Sequence, residues 1–565
     1  MATGRSWRSA RIISLLVGVV LCLGLAHPAA TAAGRVPPRQ GVWAGLLGRA
    51  QDLGPSHAPS ANVLVALRSA HRPAALLRWS AARGVRATWF TGQPTAMLTA
   101  APAALGGALG VRIDDFRLRG YPVFYAVKRD PRIPLPLKTQ VAAFGRITSF
   151  GRLHADIGPG PGALQGRIPV GGVGPGGFVT AYGVRPLWSR QIFGQGQTIV
   201  LFEVDGFSPA DLAAYAARFG LPPFASPLPS IGPTNGKIEG ESDTDLEVAH
   251  AIAPDAKLVY VNLGAFGGRN ASIASQFQRA FSSIARQFPG AIWNISLGQC
   301  EDIIAPADAR AVNNAVSTAE RAGTSVFVSS GDSGGLDCLG VSQQDPRIPA
   351  KGISFPGDLP QVTSVGGTSL QLTTAGQYLG ETAWTEPLLS QGSTGGPSVL
   401  FTHPAWQSAP GVANRLYNGS RCGNPSGLCR QVPDVSADAS PASGAAVLIN
   451  GKWVANGGTS VATPVWAAMT ALMDQYLRAV GRGPVGFANA RLYQIARGPA
   501  YSHALHDVTI GNNDFYPAGP GYDMVTGLGS PDTWNLVRDL AASAPASKSP
   551  APRKPPASGR RSGSP

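Results

Sequence analysis

Gly457-Gly458-Thr459-Ser460-Val461-Ala462-Thr463-Pro464 leads into the apolar run VWAAMTALMDQYL at 465–477, and no other stretch constrains the architecture as tightly. Two glycines allow a tight backbone approach, and Pro464 suits a first helical turn, where a missing N–H costs nothing. The run beyond is apolar on most faces, which predicts a helix buried in the middle of a sizeable domain. Ser460 is thereby delivered near the start of that helix, where the partial positive charge of the helix end favours developing negative charge. A serine there is ordinarily a cap that satisfies an open N–H. Whether it is a nucleophile depends on what other reactive groups the chain supplies.

The 565 residues leave room for more than one domain. Upstream of the serine, apolar strands alternate with helices. Strands are expected at 198–204, 257–263, 291–297 and 325–330, and helices from a Ser208 cap, at 271–287 and at 307–321. That rhythm predicts an α/β fold with a parallel sheet covered on both faces and reactive groups at the carboxyl ends of its strands. Before it lies a smaller α+β pattern: a strand at 62–67, helices at 74–83 and 97–109, and a hairpin over 111–128 that turns at Arg119-Gly120-Tyr121-Pro122. The five segments expected are a signal peptide at 1–32, the small module at 34–156, a Gly/Pro linker open to cleavage at 157–177, the large domain at 178–540, and a disordered tail at 541–565.

Arg5, Arg8 and Arg11 precede the apolar run 12–25, and Ala30-Thr31-Ala32 offers small residues for cleavage. The run falls short of the ~20 apolar residues of a membrane span, so export to the outside is expected. Cys22 follows Leu21 rather than a small residue, so no lipid anchor is expected, and no later stretch predicts a membrane span. Four cysteines remain in the exported chain, Cys300, Cys338, Cys422 and Cys429, and an even number outside the cell points to disulfides. Three connectivities are possible; Cys422 with Cys429 closes the shortest loop and would leave Cys300 with Cys338.

The net charge of +15 is concentrated at the ends: residues 31–180 carry +13 and residues 181–540 carry −6. This distribution fits an intramolecular pairing of module and domain better than a nucleic-acid surface.

A histidine base for Ser460 is hard to find. His250 lies within an Ala/Val helix and reads as a packed residue, although it is the one candidate for a subtilisin-like alternative. Carboxylates are plentiful instead. In EGESDTDLE, residues 239–247, Glu241 and Asp245 share a helix face, and so do Asp243 and Glu247, so spacing alone leaves both pairs open. Asp332 closes the strand SVFVSSGDSGG among small residues.

Together these segments resemble the sedolisins, the serine-carboxyl peptidases, over roughly residues 40–540. The resemblance rests on EGESDTDLEVAHAIAP, NISLG, SSGDSGG, ISFPGDLPQVTSVGGTSL and PDVSADASPASGAAVLINGKWVANGGTSVATP. It implies a subtilisin-like doubly wound parallel sheet preceded by a ferredoxin-like activation propeptide, with Ser460 as nucleophile, Glu241 as general base and acid, Asp245 as its orienting carboxylate and Asp332 in the oxyanion hole. Acid-active cleavage of protein or peptide substrates by a secreted monomer follows, with the propeptide as intramolecular inhibitor; release of tripeptides, or an inert binding scaffold, is the alternative. The resemblance also implies one structural calcium ion held by Asp507, Asp523 and the carbonyls of Val508, Gly519 and Gly521, all hard oxygen donors. One departure stands out: Leu297 occupies a position that is tryptophan in kumamolisin-like members, so Glu203, matching a glutamate that extends their acid network, lacks that partner. The opposite charges of module and domain further imply that acid, or high salt, loosens the pair.

Overall fold

The computed structural model describes residues 39–151, 153–155, 158–159, 172–343, 350–386, 391–413, 422–424 and 426–543. The expected signal peptide, most of the linker and nearly all of the tail lie outside these residues.

The large domain is built on an eight-stranded sheet ordered Ser230–Ile231, Lys257–Asn262, Thr198–Glu203, Ile292–Ile295, Ser325–Ser329, Thr363–Leu372 and Tyr378–Ala383, with Val435–Asp438 also pairing to Thr363–Leu372. Every pairing is parallel except that of Tyr378–Ala383. Period-two alternation sends Ile199 and Leu201 to one face, against helices Glu241–Ile252 and Thr459–Ala479. Val200 and Phe202 face the other side, against helices Ile273–Gln287 and Pro306–Glu320. The doubly wound parallel architecture expected from the sequence is therefore present.

The N-terminal module contains a four-stranded antiparallel sheet ordered Arg86–Trp89, Thr95–Ala100, Ala61–Leu67, Val141–Phe144. With helices Ala74–Ala81 and Pro102–Leu109, this is the split β-α-β order of a ferredoxin-like unit. Ile113–Arg117 and Phe124–Val127 form the expected hairpin, with Gln51–Pro55 added at its edge.

Four local expectations are corrected. The helix expected over 97–109 is a strand, Thr95–Ala100, followed by a helix that starts at Pro102. A proline suits N1 and disfavours helix before it, and strand pairing with Ala61–Leu67 claims the residues upstream. The linker ends early, because helix Pro175–Ala181 begins inside it, and the last helix, Thr533–Ser543, runs past the expected start of the tail. Pro464 is not in the first turn but inside helix Thr459–Ala479, where it removes the donor that would serve the carbonyl of Ser460.

The module packs on the two helices of the second face. Trp43, Leu46, Leu64, Phe90, Met97 and Phe116 share one apolar cluster with Ile273, Phe277 and Phe281. Gln93 Nε2 donates to Ser282 Oγ at 3.1 Å, and Gln278 Nε2 donates to Gln93 Oε1 at 2.8 Å. Arg146 donates its main-chain N–H to Asp308 Oδ2 at 2.9 Å and a guanidinium N–H to the carbonyl of Ile303 at 2.6 Å. Arg279 also donates from Nε and Nη2 to Met97 Sδ at 3.0 and 2.9 Å, so the interface combines apolar packing and hydrogen bonds with the charge of Arg146 beside Asp308. The disulfides are Cys300–Cys338 and Cys422–Cys429, with Cα atoms 4.8 and 5.9 Å apart. Among the described residues no helix is long and apolar enough to cross a membrane.

Candidate active site

The carboxyl ends of the parallel strands meet the N-termini of helices Glu241–Ile252 and Thr459–Ala479. Gly458 is the N-cap of the second helix, with φ 100° and no side-chain cap bond, so Ser460 is not a cap. At Gly457 a Cβ would meet the carbonyl oxygen of Ala439 at 2.6 Å; the two glycines thus provide the close approach and the positive φ that place Ser460. Its Oγ donates to the carbonyl of Ser296 at 3.3 Å.

All twelve residues of helix Glu241–Ile252 are buried, and its contacts settle which acid pair faces the serine. Asp243 Oδ1 accepts the main-chain N–H of Ser208 at 2.9 Å, and Glu247 Oε2 accepts that of Leu448 at 2.8 Å, so both are turned to structural tasks. Glu241 and Asp245 face inward. Burial first, then the charges of Asp245 and Glu203, hold the Glu241 carboxyl well above the usual range, and the hydroxyl of Ser460 acts in the opposite direction. Neither oxygen of Glu241 has a closed hydrogen bond. The Ser460 hydroxyl is nonetheless within reach of that carboxyl, and such contacts commonly tighten when substrate arrives.

Asp245 accepts from Asn294 Nδ2, and from Ser296 Oγ at 3.0 Å. Burial raises its pKa, while hydrogen bonds with Glu203, Ser296 and Asn294 oppose the rise. Glu203, fully buried, is pushed up by burial and then by the charges of Asp245 and Asp205. A bond between Glu203 and Asp245 requires a proton on one of them, since two carboxylates have no hydrogen to share. Glu203 therefore does extend the acid network: it lies on Asp245 and accepts from Ser242 Oγ at 3.3 Å, although Leu297 cannot play the part of a tryptophan.

Asp332, half-buried beyond strand Ser325–Ser329, accepts at Oδ1 from the main-chain N–H of Thr459 at 2.7 Å and its hydroxyl at 2.9 Å. His250 is occupied elsewhere: its Nε2 lies 2.7 Å from the carbonyl of Pro222 and its ring stacks 4.1 Å from Phe224. Burial lowers its pKa.

Sequence reasoning missed Asp205. Its Oδ2 accepts the main-chain N–H groups of Glu239, Gly240 and Glu241 at 2.9, 3.0 and 3.2 Å, and its Oδ1 accepts that of Ser242 at 3.1 Å. It caps the helix that carries the proposed base. An acid two residues beyond a strand-end glutamate, VDG after LFE, was the available signal. Asn294, Ser296 and Thr459 stood inside quoted motifs but had no task until the fold brought them to Asp245 and Asp332.

The residues expected to hold calcium lie on neighbouring loops. Asp507 Oδ2 accepts the N–H of Gly521 at 2.9 Å, and Asp523 Oδ2 accepts that of Gly519 at 3.0 Å. Thr526 Oγ1 ties Asp523 to the Val508 carbonyl, donating at 3.5 Å to the latter. Burial pushes Asp523 up to about 6, against hydrogen bonds from Thr526, Gly519 and Val525 that act to lower it. Two carboxylates and the Val508 carbonyl thus lie on adjoining loops, and hard oxygen donors of this kind suit a calcium ion.

A profile of the subtilase family matches residues 233–482. Kumamolisin of Bacillus sp. (strain MN-32) is 35% identical over 368 residues, covering 62% of this chain and 61% of that protein. The chain thus spans about three fifths of that relative's length. Sedolisin of Pseudomonas sp. (strain 101) is 28% identical over 466 residues, 78% of this chain and 75% of its own, and human tripeptidyl-peptidase 1 is 31% identical over 276 residues, 44% and 43%. Among solved structures, Pseudomonas sedolisin complexed with two molecules of pseudo-iodotyrostatin superposes with a TM-score of 0.53 at 28% identity, covering 66% of this chain and 98% of that one.

Proposed function

We propose that the chain is a peptidase of the sedolisin family, to whose members it is similar in sequence and fold, and that it is a secreted, acid-active serine-carboxyl endopeptidase made as a precursor. The observation that carries this reading is the buried placement of Ser460 beside Glu241, with Asp245 and Glu203 behind and His250 turned away to the Pro222 carbonyl. Ser460 Oγ attacks the scissile carbonyl as its proton passes to Glu241, which hands it to the departing amine. Water then takes the same route to hydrolyse the acyl ester. Asp245 and Glu203 share protons with Glu241 as one titrating unit.

Asp332 can donate to the oxyanion only while protonated, so rising pH converts a donor into a repelling charge and activity belongs in acid. The N-terminal module acts as an inhibitory propeptide through its apolar interface. One calcium ion, held by Asp507, Asp523 and the carbonyls of Val508, Gly519 and Gly521, would stiffen the loops that carry them and take no part in the chemistry.

The test is hydrolysis of a denatured protein from pH 3 to 8 by wild type, Ser460→Ala, Glu241→Gln and His250→Ala. Loss of about 10²-fold or more is expected in the first two variants and little change in the third; an inactive His250→Ala enzyme that is still folded would favour a subtilisin-like base.

A further inference from the structure

We infer that Glu301 and Asp358 form a proton-sharing pair that positions the substrate-binding edge beside Ser460, so that substrate binding weakens when the pair loses its proton. Neither residue touches the reacting atoms; both act through the segments they hold. The inference rests on the peptidase reading above and adds a positioning pair outside the catalytic carboxyls.

Strand Leu297–Cys300 begins directly after Ser296, whose carbonyl accepts from Ser460 Oγ at 3.3 Å. Its Leu297–Gly298 edge pairs antiparallel with His154–Ala155, so an extended main chain is held against it beside the nucleophile. Further along, Gln299 and Cys300 pair with Phe355 and Ser354. The Cys300–Cys338 disulfide ties the same strand to the loop that follows Asp332. The strand is therefore a shelf for an extended substrate, and Glu301 stands at its end.

Glu301 and Asp358 are both buried. Their carboxyls are hydrogen-bonded to each other, which requires a proton on one of them. Glu301 Oε1 also accepts the main-chain N–H of Val399 at 2.7 Å, and its Oε2 accepts from Ser398 Oγ at 2.9 Å. The N–H of Glu301 donates to the carbonyl of Ile353 at 3.0 Å, and that of Asp358 to the carbonyl of Ser354 at 3.0 Å. The pair thus joins the end of the shelf, the turn after Ser354–Phe355, and strand Gly396–Thr402. The residues leading into that last strand hold the oxyanion side: Gly392 N–H donates to the carbonyl of Asp332 at 2.8 Å, and Thr394 N–H to that of Gly331 at 2.9 Å. Shelf and proposed oxyanion group are therefore fastened to one another through Glu301.

Loss of the shared proton leaves two like charges facing each other in a buried site, where they repel. Burial first, and then the charges of Asp358 and Asp302, hold the Glu301 carboxyl well above the usual range, while the N–H of Val399 acts in the opposite direction. Asp302 belongs to the same turn. Strand Gly396–Thr402 brings no titratable side chain, and helix Pro306–Glu320 meets the Asp358 turn through Asn313, which accepts the N–H of Gln361 at 3.2 Å. From the N-terminal module, helix Arg39–Arg49 packs on the Glu301 turn, and Arg146 donates to the carbonyl of Ile303 at 2.6 Å. The fastening is complete in acid and is lost as pH rises through the raised folded-state value. The acids that raise Glu301 are not those that raise Glu241, so the two clusters titrate separately.

The test is steady-state hydrolysis, from pH 3 to 7, of an end-blocked peptide without ionisable side chains, by the full chain after acid treatment, as wild type and as Asp358→Asn. In the wild type KM should rise several-fold toward the upper end of the range. Asparagine keeps the shape and offers Glu301 an N–H at every pH, so KM should stay near its acid value while the kcat profile keeps its wild-type shape. Glu301→Gln should flatten KM in the same way, and carries the test if Asp358→Asn does not fold. Asp358→Ala, which removes the bond, should raise KM several-fold even in acid. A role confined to stability would lower Tm in these variants and leave the slope of KM against pH as in the wild type. That unchanged slope, or a wild-type KM indifferent to pH, overturns the inference, and the peptidase reading stands if the wild type hydrolyses the peptide in acid. A displaced kcat profile with KM unmoved also overturns it. Absence of hydrolysis by the wild type at every pH overturns both.

Discussion

Asp332 Oδ1 accepts both the main-chain N–H and the hydroxyl of Thr459, at 2.7 and 2.9 Å, so the carboxyl proposed for the oxyanion is tied to the residue that precedes the nucleophile. The two groups are positioned by one another. Asp332→Ala is expected to lower kcat by about 10²–10³-fold, the usual cost of one oxyanion donor. Thr459→Val keeps the main-chain bond and loses the hydroxyl, so its kcat should fall less. Equal losses in steady-state assays would show that Asp332 acts only through Thr459.

Glu203 raises Glu241 and is itself raised by Asp245. Glu203→Gln replaces an ionisable carboxyl with a neutral amide, so the repulsion that Glu203 adds as it ionises is lost and the pKa of Glu241 should fall. The acidic limb of the kcat profile should then move to lower pH, with the nucleophile still active. An unmoved limb would mean that Glu203 has no part in the shared titration.

Stability should rise as pH falls, the reverse of the usual acid denaturation. Burial pushes Asp243, Asp308 and Asp474 up to about 7, whereas an unfolded aspartate titrates near about 4. A raised folded-state value means that the folded form holds its protons more tightly. The contribution is complete below about pH 4 and is lost as pH rises through about 7. Thermal melts of the Ser460→Ala precursor should show a higher Tm at pH 4 than at pH 8.

Asp205 caps the helix of Glu241 with four main-chain acceptor contacts. Asp205→Ala is expected to cost about 2 kcal/mol, the upper end for a helix cap, and to lower activity by loosening Glu241. Urea unfolding beside a kcat measurement checks both effects.

Chelation should lower Tm if the loops of Asp507 and Asp523 hold calcium, and added calcium should restore it by mass action. Asp523→Ala should have a reduced Tm that no longer responds to either treatment. A wild-type Tm indifferent to chelator removes the cation from the account.

Strand–helix rhythm and glycine placement are local properties, so the doubly wound sheet, the separate module, the serine at a helix start and the shortage of a usable histidine were all legible in the chain before folding. Loop length also narrowed the cysteine pairing. Spacing could not choose between Glu241/Asp245 and Asp243/Glu247, since both pairs have the same helical separation; contacts of Asp243 with Ser208 and of Glu247 with Leu448 made that choice. Residues 97–100 read as helix from composition, yet pairing with Ala61–Leu67 made them strand. Net charge pointed to charge pairing between module and domain, and gave no sign of the apolar packing of Phe90 and Met97 beside Phe277. Asp205, Asn294 and Thr459 acquire their tasks only across long sequence separations, where side-chain distance and burial are set by the packed tertiary structure and leave no periodic trace in the chain.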